Sequence, residues 1–311
     1  MCFIEKSIKS SKIRSLPYFI KIEPTPKCHL YCPGCWHSRK EFKKKFVNSR
    51  NITVEEVGRI IEPVSSTLVA VSLSQMGEPL LHRDLVDMIE KIHSFNVAVT
   101  FPTNLSVPMK DDWIDRFVLS GVDAVLVGLD GLSRETYEQY RKGGNFDLVV
   151  NNVRRIAAAK KRLGRSRPRL VWKFIVFDHN AHEVHEVPQK YREMGFDDYE
   201  IVLDNHLMDE FVALERSPDM GGSGKRSCFW PYGLMVVEYD GQVQPCCTSG
   251  FRLGNAIETD TREIWHGPSY ETIRRGFSSS TPVEEVHPVC RLCLGLASKD
   301  TLNIGSMIER R

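Results

Sequence analysis

The sequence predicts an α/β fold in which a mostly parallel sheet is followed by a small cysteine-rich segment. Apolar runs of strand length alternate with segments of helical period along the first two thirds of the chain, and this alternation is typical of parallel strands. Residues 67–73 form a nearly continuous apolar run, as expected for a strand buried on both faces. Five of the nine cysteines follow residue 227, which sets the end of the chain apart from the alternating part.

About six strands are predicted, too few for a closed eight-stranded barrel. The strands are expected at residues 18–23, 67–73, 96–101, 122–129, 169–177 and 199–203. Helices are expected at residues 84–94, 111–119, 133–141, 146–163 and 182–194, and one begins at Thr53 with a capping box to Glu56. Further on, Asp240-Gly241 predicts a two-residue hairpin. Two short helical pieces are expected at 263–265 and 270–275, with Pro268 between them.

Composition and charge exclude several classes of protein. The 42 basic and 40 acidic side chains give a net charge of +2, so no nucleic-acid partner is expected. No run approaches the roughly 18 apolar residues of a membrane span, and residues 1–16 lack the apolar stretch of a signal peptide. We therefore expect a cytoplasmic protein with no membrane partner. In that compartment, nine cysteines indicate metal or redox chemistry rather than disulfides.

Three cysteines lie close together just after the first predicted strand. Cys28, Cys32 and Cys35 have the spacing C-x3-C-x2-C, so one short loop carries three thiols. Four thiolates would complete an ordinary iron–sulfur cluster, whereas three leave one iron open for chemistry. Two alternatives without catalysis are a structural zinc knuckle and three unrelated thiols. Zinc sites favour paired C-x2-C motifs.

The C-x3-C-x2-C motif resembles the defining motif of the radical S-adenosylmethionine (SAM) superfamily. The resemblance implies that the three cysteines bind a four-iron four-sulfur (4Fe–4S) cluster and that SAM chelates its open iron. Reductive cleavage of SAM would then give a deoxyadenosyl radical. The resemblance also implies a partial, open (β/α)6 barrel and a low-potential electron donor such as a flavodoxin or a ferredoxin.

Other strand-end segments are similar to SAM-binding motifs of that family. Gln75-Met76-Gly77-Glu78-Pro79 resembles a Gly-Gly-Glu-Pro motif whose backbone pairs with the amino group of SAM, and glycine allows that close approach. The null interpretation is a structural turn. The resemblance also implies that three residues lie near SAM, namely Thr103, Asn104 and Asp130.

Tyr137 and Arg141 resemble a tyrosine and arginine pair that follows in the family. The arginine commonly meets the carboxylate of SAM, a role for which a guanidinium is chemically suited. On an unrelated helix, Arg141 would be a plain surface residue.

The chain departs from the family pattern at three positions. Met76 replaces the first glycine of Gly-Gly-Glu-Pro. Gly128 stands where many relatives have a polar residue, so one contact with SAM is expected to be missing. Gly34 replaces the aromatic residue that relatives often have beside the adenine, and Trp36 does not simply replace it.

A basic run follows the cysteine loop, with the sequence Arg39-Lys40-Glu41-Phe42-Lys43-Lys44-Lys45. Such a run is usually a solvated surface. Beside an active-site loop it could also attract an anionic substrate or an electron donor.

A second set of four cysteines comes from three separated segments: Cys228, Cys246, Cys290 and Cys293. Four thiolates can close around one cluster and leave no open iron, and a zinc site would use the same ligands. The layout resembles the twitch domain, a short form of SPASM that holds one auxiliary 4Fe–4S cluster. Cys247 neighbours Cys246 and could be the fourth ligand instead. Otherwise Cys247 is a buried thiol or a hydrogen-atom donor to a substrate radical.

These features predict a radical SAM core at residues 17–205, a linker or mobile loop at 206–226 and an auxiliary-cluster domain at 227–300. The layout resembles the 2-deoxy-scyllo-inosamine dehydrogenases and the aminoglycoside epimerases. This implies hydrogen abstraction from a sugar-like or other small polar substrate, followed by two-electron oxidation through the auxiliary cluster. The alternatives are epimerisation with Cys247 as donor and maturation of a ribosomal peptide. An iron–sulfur electron carrier or a zinc scaffold would not explain the SAM-like segments at Gly77, Glu78 and Arg141.

Overall fold

A computed structural model describes residues 2–203, 228–247, 250–278, 280–282, 285, 286 and 290. The expected linker at 206–226 and Cys293 lie outside these residues. The chain divides into two compact units. The core unit consists of Ile22–Gly58 and Ala70–His206, and the cysteine-rich unit consists of Met1–Lys21, Arg59–Val69 and Leu207–Arg311.

The core unit contains a parallel sheet with the strand order β6-β5-β4-β3-β2. Its strands are β2 (Ala70–Leu73), β3 (Ala98–Thr103), β4 (Ala124–Gly128), β5 (Arg169–Val176) and β6 (Asp198–Leu203). Ala70 lies opposite Ala98, and Ala124 lies opposite Arg169, with parallel pairing throughout. The predicted α/β fold with a mostly parallel sheet is confirmed. The strand expected to begin at residue 67 begins at Ala70.

Helices precede and connect these strands. They are α2 (Lys40–Lys45), α3 (Val54–Ile61), α4 (Leu85–His93), α5 (Asp111–Leu119), α6 (Arg134–Tyr140), α7 (Phe146–Arg162) and α8 (Val187–Lys190). All of them except α2 bury apolar side chains in the core. The predicted capping box is present, because Glu56 N–H donates to Thr53 Oγ1 at 3.2 Å and Thr53 N–H donates to Glu56 Oε2 at 2.8 Å. Gly143 and Gly144 separate α6 from α7, as predicted.

The helix expected at residues 182–194 is wrong. A 3-10 helix at Ala181–Glu186 precedes the short α8, and Pro188 lies in the first turn of α8. Proline has no N–H to continue the hydrogen-bond ladder from the preceding turn, so a single α-helix cannot run through this position undisturbed. Other 3-10 turns occur at Trp36–Ser38 and Pro79–Leu81 in the core unit and at Glu62–Val64.

The cysteine-rich unit has the strand order β1-β7-β8-β9. Its elements are α1 (Cys2–Ser7), β1 (Phe19–Ile22), α9 (Trp230–Gly233), β7 (Leu234–Val237), β8 (Gln242–Gln244), β9 (Gly254–Asn255), α10 (Thr261–His266) and α11 (Pro268–Arg275). The two predicted helical pieces are present as α10 and α11, but Pro268 begins α11 and does not lie between them, since proline fits the first turn of a helix.

The predicted hairpin is present, with Val236 opposite Gln244 and Val237 opposite Val243. Glu238 N–H donates to Gln242 O at 2.9 Å, so the loop has three residues and not two. Gly241 takes a φ of +86°, as the last residue of such a loop commonly does.

Early residues of the chain pack into the cysteine-rich unit. Trp265 Nε1 donates to Ser15 O at 2.8 Å, and Thr261 Oγ1 donates to Ile60 O at 2.8 Å. Trp265 is fully buried. Among the described residues, no helix is both long and apolar enough to cross a membrane.

Candidate functional site

Glu23, directly after β1, fixes the segment that follows β2. The residue is 2% exposed, and its Oε1 accepts hydrogen bonds from Met76 N–H at 2.8 Å and Gly77 N–H at 3.2 Å. A buried carboxylate is costly unless such donors compensate its lost hydration. The sequence analysis missed Glu23, although an acidic residue at the end of an apolar strand is an uncommon signal.

Gly77 lies against the backbone that leads into the cysteine loop. A Cβ at this position would be 1.9 Å from the carbonyl oxygen of Thr25. The next residue, Glu78, donates its N–H to Lys27 O at 2.8 Å. Only glycine permits this approach, so the Gly77 position is explained by packing within the site.

The Glu78 carboxylate joins this segment to the end of β3. It accepts hydrogen bonds from Thr103 Oγ1 at 2.6 Å, Asn104 N–H at 2.8 Å and Leu80 N–H at 3.1 Å. Burial raises the pKa of Glu78, and the three donors oppose that rise. The structure thus brings Gly77, Glu78, Thr103 and Asn104 together.

A tight turn connects the second and third cysteines of the loop. Cys35 N–H donates to Cys32 O at 3.1 Å, and Gly34 has a φ of +78°. Pro33 followed by a glycine of positive φ is the signature of a type II turn. The backbone thus explains the glycine at position 34. Space does not, because a Cβ there would have no neighbour within 4 Å.

Lys43 of α2 reaches back to the cysteine loop. Its Nζ donates to His29 O at 3.0 Å and to Leu30 O at 3.1 Å, and it lies 3.3 Å from the ring centroid of Tyr31. Lys43 is only partly exposed. One member of the basic run therefore stabilises the loop, which the sequence did not reveal.

The three loop thiols are reduced and largely enclosed. None of Cys28, Cys32 and Cys35 is in a disulfide. Burial raises the pKa of Cys28 to about 12 and also raises the pKa of Cys32. Metals bind the thiolate form, so binding of a metal centre by these cysteines would release the thiol protons. Asn104 Nδ2 lies 4.0 Å from Cys28 Sγ, within reach of a weak hydrogen bond to sulfur.

Arg141 lies near Cys32 and is paired with Asp130. Its Nε donates to Asp130 Oδ2 at 2.6 Å, while Ile175 N–H donates to Asp130 Oδ1 at 2.8 Å. Burial favours a neutral Arg141, but Asp130 and Cys32 outweigh it and raise the pKa of the guanidinium. Both oxygens of Asp130 are engaged, so its carboxylate orients Arg141.

The position of Arg141 also accounts for Gly128. A Cβ at Gly128 would lie 2.5 Å from a terminal nitrogen of Arg141. The guanidinium therefore occupies space that a side chain at position 128 would need. The glycine at position 128 is thus explained by the place that the Arg141 guanidinium takes.

Tyr137 adds a polar atom to this group. The residue is fully buried, and its hydroxyl has no hydrogen-bond partner among the described residues. Arg141 and Asp130 both act on the pKa of Tyr137, which burial raises. A buried hydroxyl without a partner is costly, and a polar ligand beside Arg141 would satisfy it.

The cysteine-rich unit holds the second set of thiols. Cys228 precedes α9, Cys246 and Cys247 follow β8, and Cys290 follows α11 at a distance in the chain. Burial raises the pKa of Tyr232 and of Tyr270, and Cys228 lies near enough to Tyr232, and Cys246 near enough to Tyr270, to add to that rise. The fourth expected ligand, Cys293, lies outside the described residues.

These donor sets fit iron–sulfur clusters. In the described part of the chain, no three His, Cys, Asp or Glu side chains converge as one metal ion would require. The thiolates of a 4Fe–4S cluster each bind a different iron, so they surround the cluster without converging on a point. In the core unit, the loop thiols, Arg141 and the unpartnered Tyr137 hydroxyl also suit a polar, charged cofactor.

Two family models match this chain. Residues 22–176 match the radical SAM superfamily, and residues 228–294 match SPASM, an iron–sulfur cluster-binding domain. The chain is a radical SAM protein with a SPASM domain. A radical SAM domain implies a 4Fe–4S cluster and SAM, and a SPASM domain implies additional iron–sulfur clusters.

Curated relatives of this radical SAM protein include GTP 3',8-cyclases. The chain is 27% identical over 184 residues to a probable GTP 3',8-cyclase of Methanocaldococcus jannaschii, covering 59% of this chain and 57% of the relative. It is 25% identical over 143 residues to the GTP 3',8-cyclase of Lactiplantibacillus plantarum, covering 43% and 40%. The chain thus spans about half the length of the curated relatives it matches.

Solved structures share the fold at low identity. SuiB of Streptococcus suis, bound to its precursor peptide SuiA, has a TM-score of 0.66 at 15% identity and covers 91% of this chain and 72% of SuiB. BtrN in complex with AdoMet and 2-DOIA has a TM-score of 0.53 at 16% identity, covering 86% and 89%. For anSMEcpe with bound AdoMet the TM-score is 0.58 at 18% identity, covering 90% and 88%.

Proposed function

We propose that this radical SAM protein is an oxidoreductase that dehydrogenates a sugar-like or other small polar substrate. One observation carries the proposal. Cys228, Cys246 and Cys290 lie in a unit of their own, apart from the loop of Cys28, Cys32 and Cys35. Two thiol sets provide one cluster for radical formation and a second that can accept an electron.

The core unit supplies binding and orientation. Cys28, Cys32 and Cys35 would hold the first cluster, and SAM bound to it would supply a deoxyadenosyl radical that can take a hydrogen atom from carbon. We assign the SAM carboxylate to Arg141, which Asp130 holds in place at 2.6 Å. The backbone at Gly77 and Glu78 is assigned to the SAM amino group.

Oxidation requires the substrate radical to lose one more electron and one proton. We assign the electron to a cluster held by Cys228, Cys246, Cys290 and Cys293. Cys247 is then a spare thiol. The atoms balance as the loss of two hydrogens from the substrate, one as an atom to the deoxyadenosyl radical and one as a proton to a base.

Single Cys→Ala variants of the loop test the first step. Because each removes a cluster ligand, Cys28→Ala, Cys32→Ala and Cys35→Ala should abolish deoxyadenosine formation from SAM with dithionite as reductant. Cys2→Ala is the matched control and should leave the rate unchanged. Deoxyadenosine at the wild-type rate from any loop variant would refute the assignment of the cluster.

Epimerisation with Cys247 as hydrogen donor is the second candidate. A thiol S–H bond is weak enough to return a hydrogen atom to a substrate radical, and Cys247 follows Cys246 at the end of the hairpin. Product analysis in heavy water separates the two reactions. A dehydrogenase yields a product lighter by two hydrogens and tolerates Cys247→Ala. An epimerase fixes one solvent deuterium at carbon and loses this in Cys247→Ala.

Two further substrate classes come from the relatives. SuiB was crystallised with a precursor peptide, and the curated relatives are cyclases of GTP. These classes can be distinguished by mass spectrometry. The reconstituted protein is incubated separately with GTP, with a panel of sugar-like compounds and with a candidate peptide. Conversion of GTP or a peptide, with no sugar oxidised, would replace the proposed substrate class.

A further inference from the structure

We infer that the basic run after the cysteine loop is a docking surface for an acidic one-electron donor protein. This inference rests on the proposed function, because it concerns the reductant of the cluster that the loop holds. The surface, here called the basic patch, consists of Arg39, Lys40, Lys44 and Lys45, all of which are exposed.

Helical geometry separates the patch from the rest of the run. Phe42 of α2 and Phe46, which caps the C-terminal end of this helix, are four residues apart and lie on one side, with ring centroids 4.9 Å from each other. Both rings contact His37, which is 1% exposed. Lys40 and Lys44 occupy the opposite face at the same spacing. The lysine ammonium groups therefore point away from the protein while the aromatic side chains anchor the helix.

In the part of the chain that the structure describes, no carboxylate neutralises the charge of the patch. None of its four residues forms a salt bridge to a carboxylate in the ranges that the structure describes, and Glu41 is the one acidic residue between Arg39 and Lys45. The chain as a whole carries a net charge of only +2, so the patch is a local concentration. Concentrated charge of one sign speeds association with an oppositely charged protein, by about ten- to a thousandfold.

The patch is attached directly to a cluster ligand. Ser38 N–H and Ser38 Oγ both donate to Cys35 O, at 2.9 and 2.7 Å, so the 3-10 turn Trp36–Ser38 starts on the third cysteine. Arg39 follows and lies over the Trp36 ring at 4.7 Å. At about 2 Å of rise per residue in such a turn, Lys40 begins on the order of 10 Å from Cys35 along the chain.

An electron donor fits this position better than an anionic substrate. A substrate must reach the strand ends, where Gly77, Asn104 and Arg141 gather, whereas a donor only needs to come close to the cluster. The single lysine that turns inward, Lys43, is already bound to the loop carbonyls of His29 and Leu30. Lys40, Lys44 and Lys45 form no such hydrogen bond among the described residues.

The test compares two reductants on the reconstituted holoenzyme. The probe is flavodoxin, kept reduced by NADPH and its reductase, with dithionite as the small-molecule reductant that needs no docking. The variant Lys40→Gln/Lys44→Gln/Lys45→Gln should raise the KM for flavodoxin about tenfold and lose most of the salt dependence of the wild type. Its deoxyadenosine rate with dithionite, and its iron content, should equal those of the wild type.

Lys161→Gln/Arg165→Gln is the control, because Lys161 is exposed in the last turn of α7 and Arg165 is exposed just after this helix, both in the same unit. This control should form deoxyadenosine at the wild-type rate with flavodoxin and with dithionite. An unchanged KM for flavodoxin in the patch variant would overturn the inference, as would a wild type that neither flavodoxin nor ferredoxin reduces. A lower dithionite-driven substrate conversion in the patch variant would assign the patch to the substrate and also overturn it.

The proposed function fails by a different result. If wild-type protein cleaves SAM with dithionite but oxidises no substrate, dehydrogenation is wrong, while the KM comparison for flavodoxin remains a valid test of the patch.

Discussion

In the core unit, Glu23 and Glu78 are buried carboxylates that accept hydrogen bonds from the backbone, whereas in the cysteine-rich unit Arg274 is a buried guanidinium packed against two aromatic rings. Glu23 and Glu78 together accept four backbone N–H groups around the cysteine loop. Arg274 is fully buried, and its guanidinium carbon lies 4.6 Å from the Trp265 ring centroid and 4.9 Å from that of Tyr270.

The difference shows what each charge stabilises. A carboxylate that accepts several N–H groups fixes irregular backbone, which is what a cofactor site between strand ends needs. Arg274 instead donates through Nε to Pro231 O at 2.8 Å, and its terminal nitrogens have no hydrogen-bond partner among the described residues. Burial lowers the pKa of Arg274 to about 10, so it stays charged at neutral pH. Its contacts join α9, α10 and α11, so it holds the interior of its unit together.

The largest effect should follow from removing the ligands of one unit only. Cys290→Ala/Cys293→Ala should lower the iron content from about eight to about four atoms per chain. SAM cleavage should persist, because the loop cysteines are untouched, while oxidation of substrate stops. Iron analysis and product analysis of the same preparation measure both. An iron content that stays near eight would show that the second cluster has other ligands.

Arg274 allows the packing of the cysteine-rich unit to be tested separately. Arg274→Ala should destabilise this unit by about 3 kcal/mol, through the cavity left beside Trp265 and Tyr270 and the lost hydrogen bond to Pro231. Arg274→Met fills the volume and should cost less. The measurement is hydrogen exchange of peptides from 230–237 and 261–275, which should speed up roughly hundredfold in Arg274→Ala.

Arg275 provides the control for this experiment, since it is exposed on the next position of α11. Arg275→Ala should leave exchange in both peptides unchanged. Equal effects of Arg274→Ala and Arg274→Met would show that charge, and not volume, is what this position contributes.

In the core unit, Glu78→Gln should weaken SAM binding about tenfold. The amide oxygen can replace only part of what the carboxylate accepts from Thr103, Asn104 and Leu80, a loss of about 1–2 kcal/mol. Equilibrium dialysis of the holoenzyme against labelled SAM measures the Kd. Glu135→Gln, at an exposed position of α6, should bind SAM as the wild type does. Unaltered binding in Glu78→Gln would mean that segment 103–104 is held by other contacts.

The same comparison explains what the sequence could predict. Three cysteines within one short loop define a site without knowledge of the fold, because chain geometry alone brings them together. Pro33-Gly34 likewise identifies its own turn. The partners of Glu23 and Glu78 could not be predicted in this way, because Met76 lies 53 residues from Glu23 and Thr103 lies 25 residues from Glu78. Only the sheet brings the strand ends together.

Local sequence patterns can also predict the wrong local structure. The period of residues 182–194 predicts one helix, but Pro188 places a 3-10 turn before a short α8. The basic run 39–45 predicts one solvated surface, yet Lys43 is bound to the cysteine loop while Lys44 is exposed. The composition of a segment gives its charge. Which of its side chains turns inward depends on the helical period and on hydrogen-bond acceptors from other parts of the chain.

Lys43 yields the smallest predicted effect and the finest comparison within the core unit. Its ammonium donates to two loop carbonyls and lies over the Tyr31 ring. Lys43→Met keeps the length of the side chain and removes the charge and both hydrogen bonds, a loss of about 1–2 kcal/mol at a half-exposed site. The loop should open more often, so iron should leave the holoenzyme in the presence of a chelator several times faster.

Lys44→Met, its exposed neighbour, should lose iron at the wild-type rate. Because the chelator assay involves no electron donor, it separates the role of Lys43 in the loop from the role of the basic patch. Equal iron loss in the two variants would mean that the turn from Cys32 to Cys35 and the hydrogen bond from Tyr31 N–H to Lys142 O, at 2.9 Å, suffice to hold the loop.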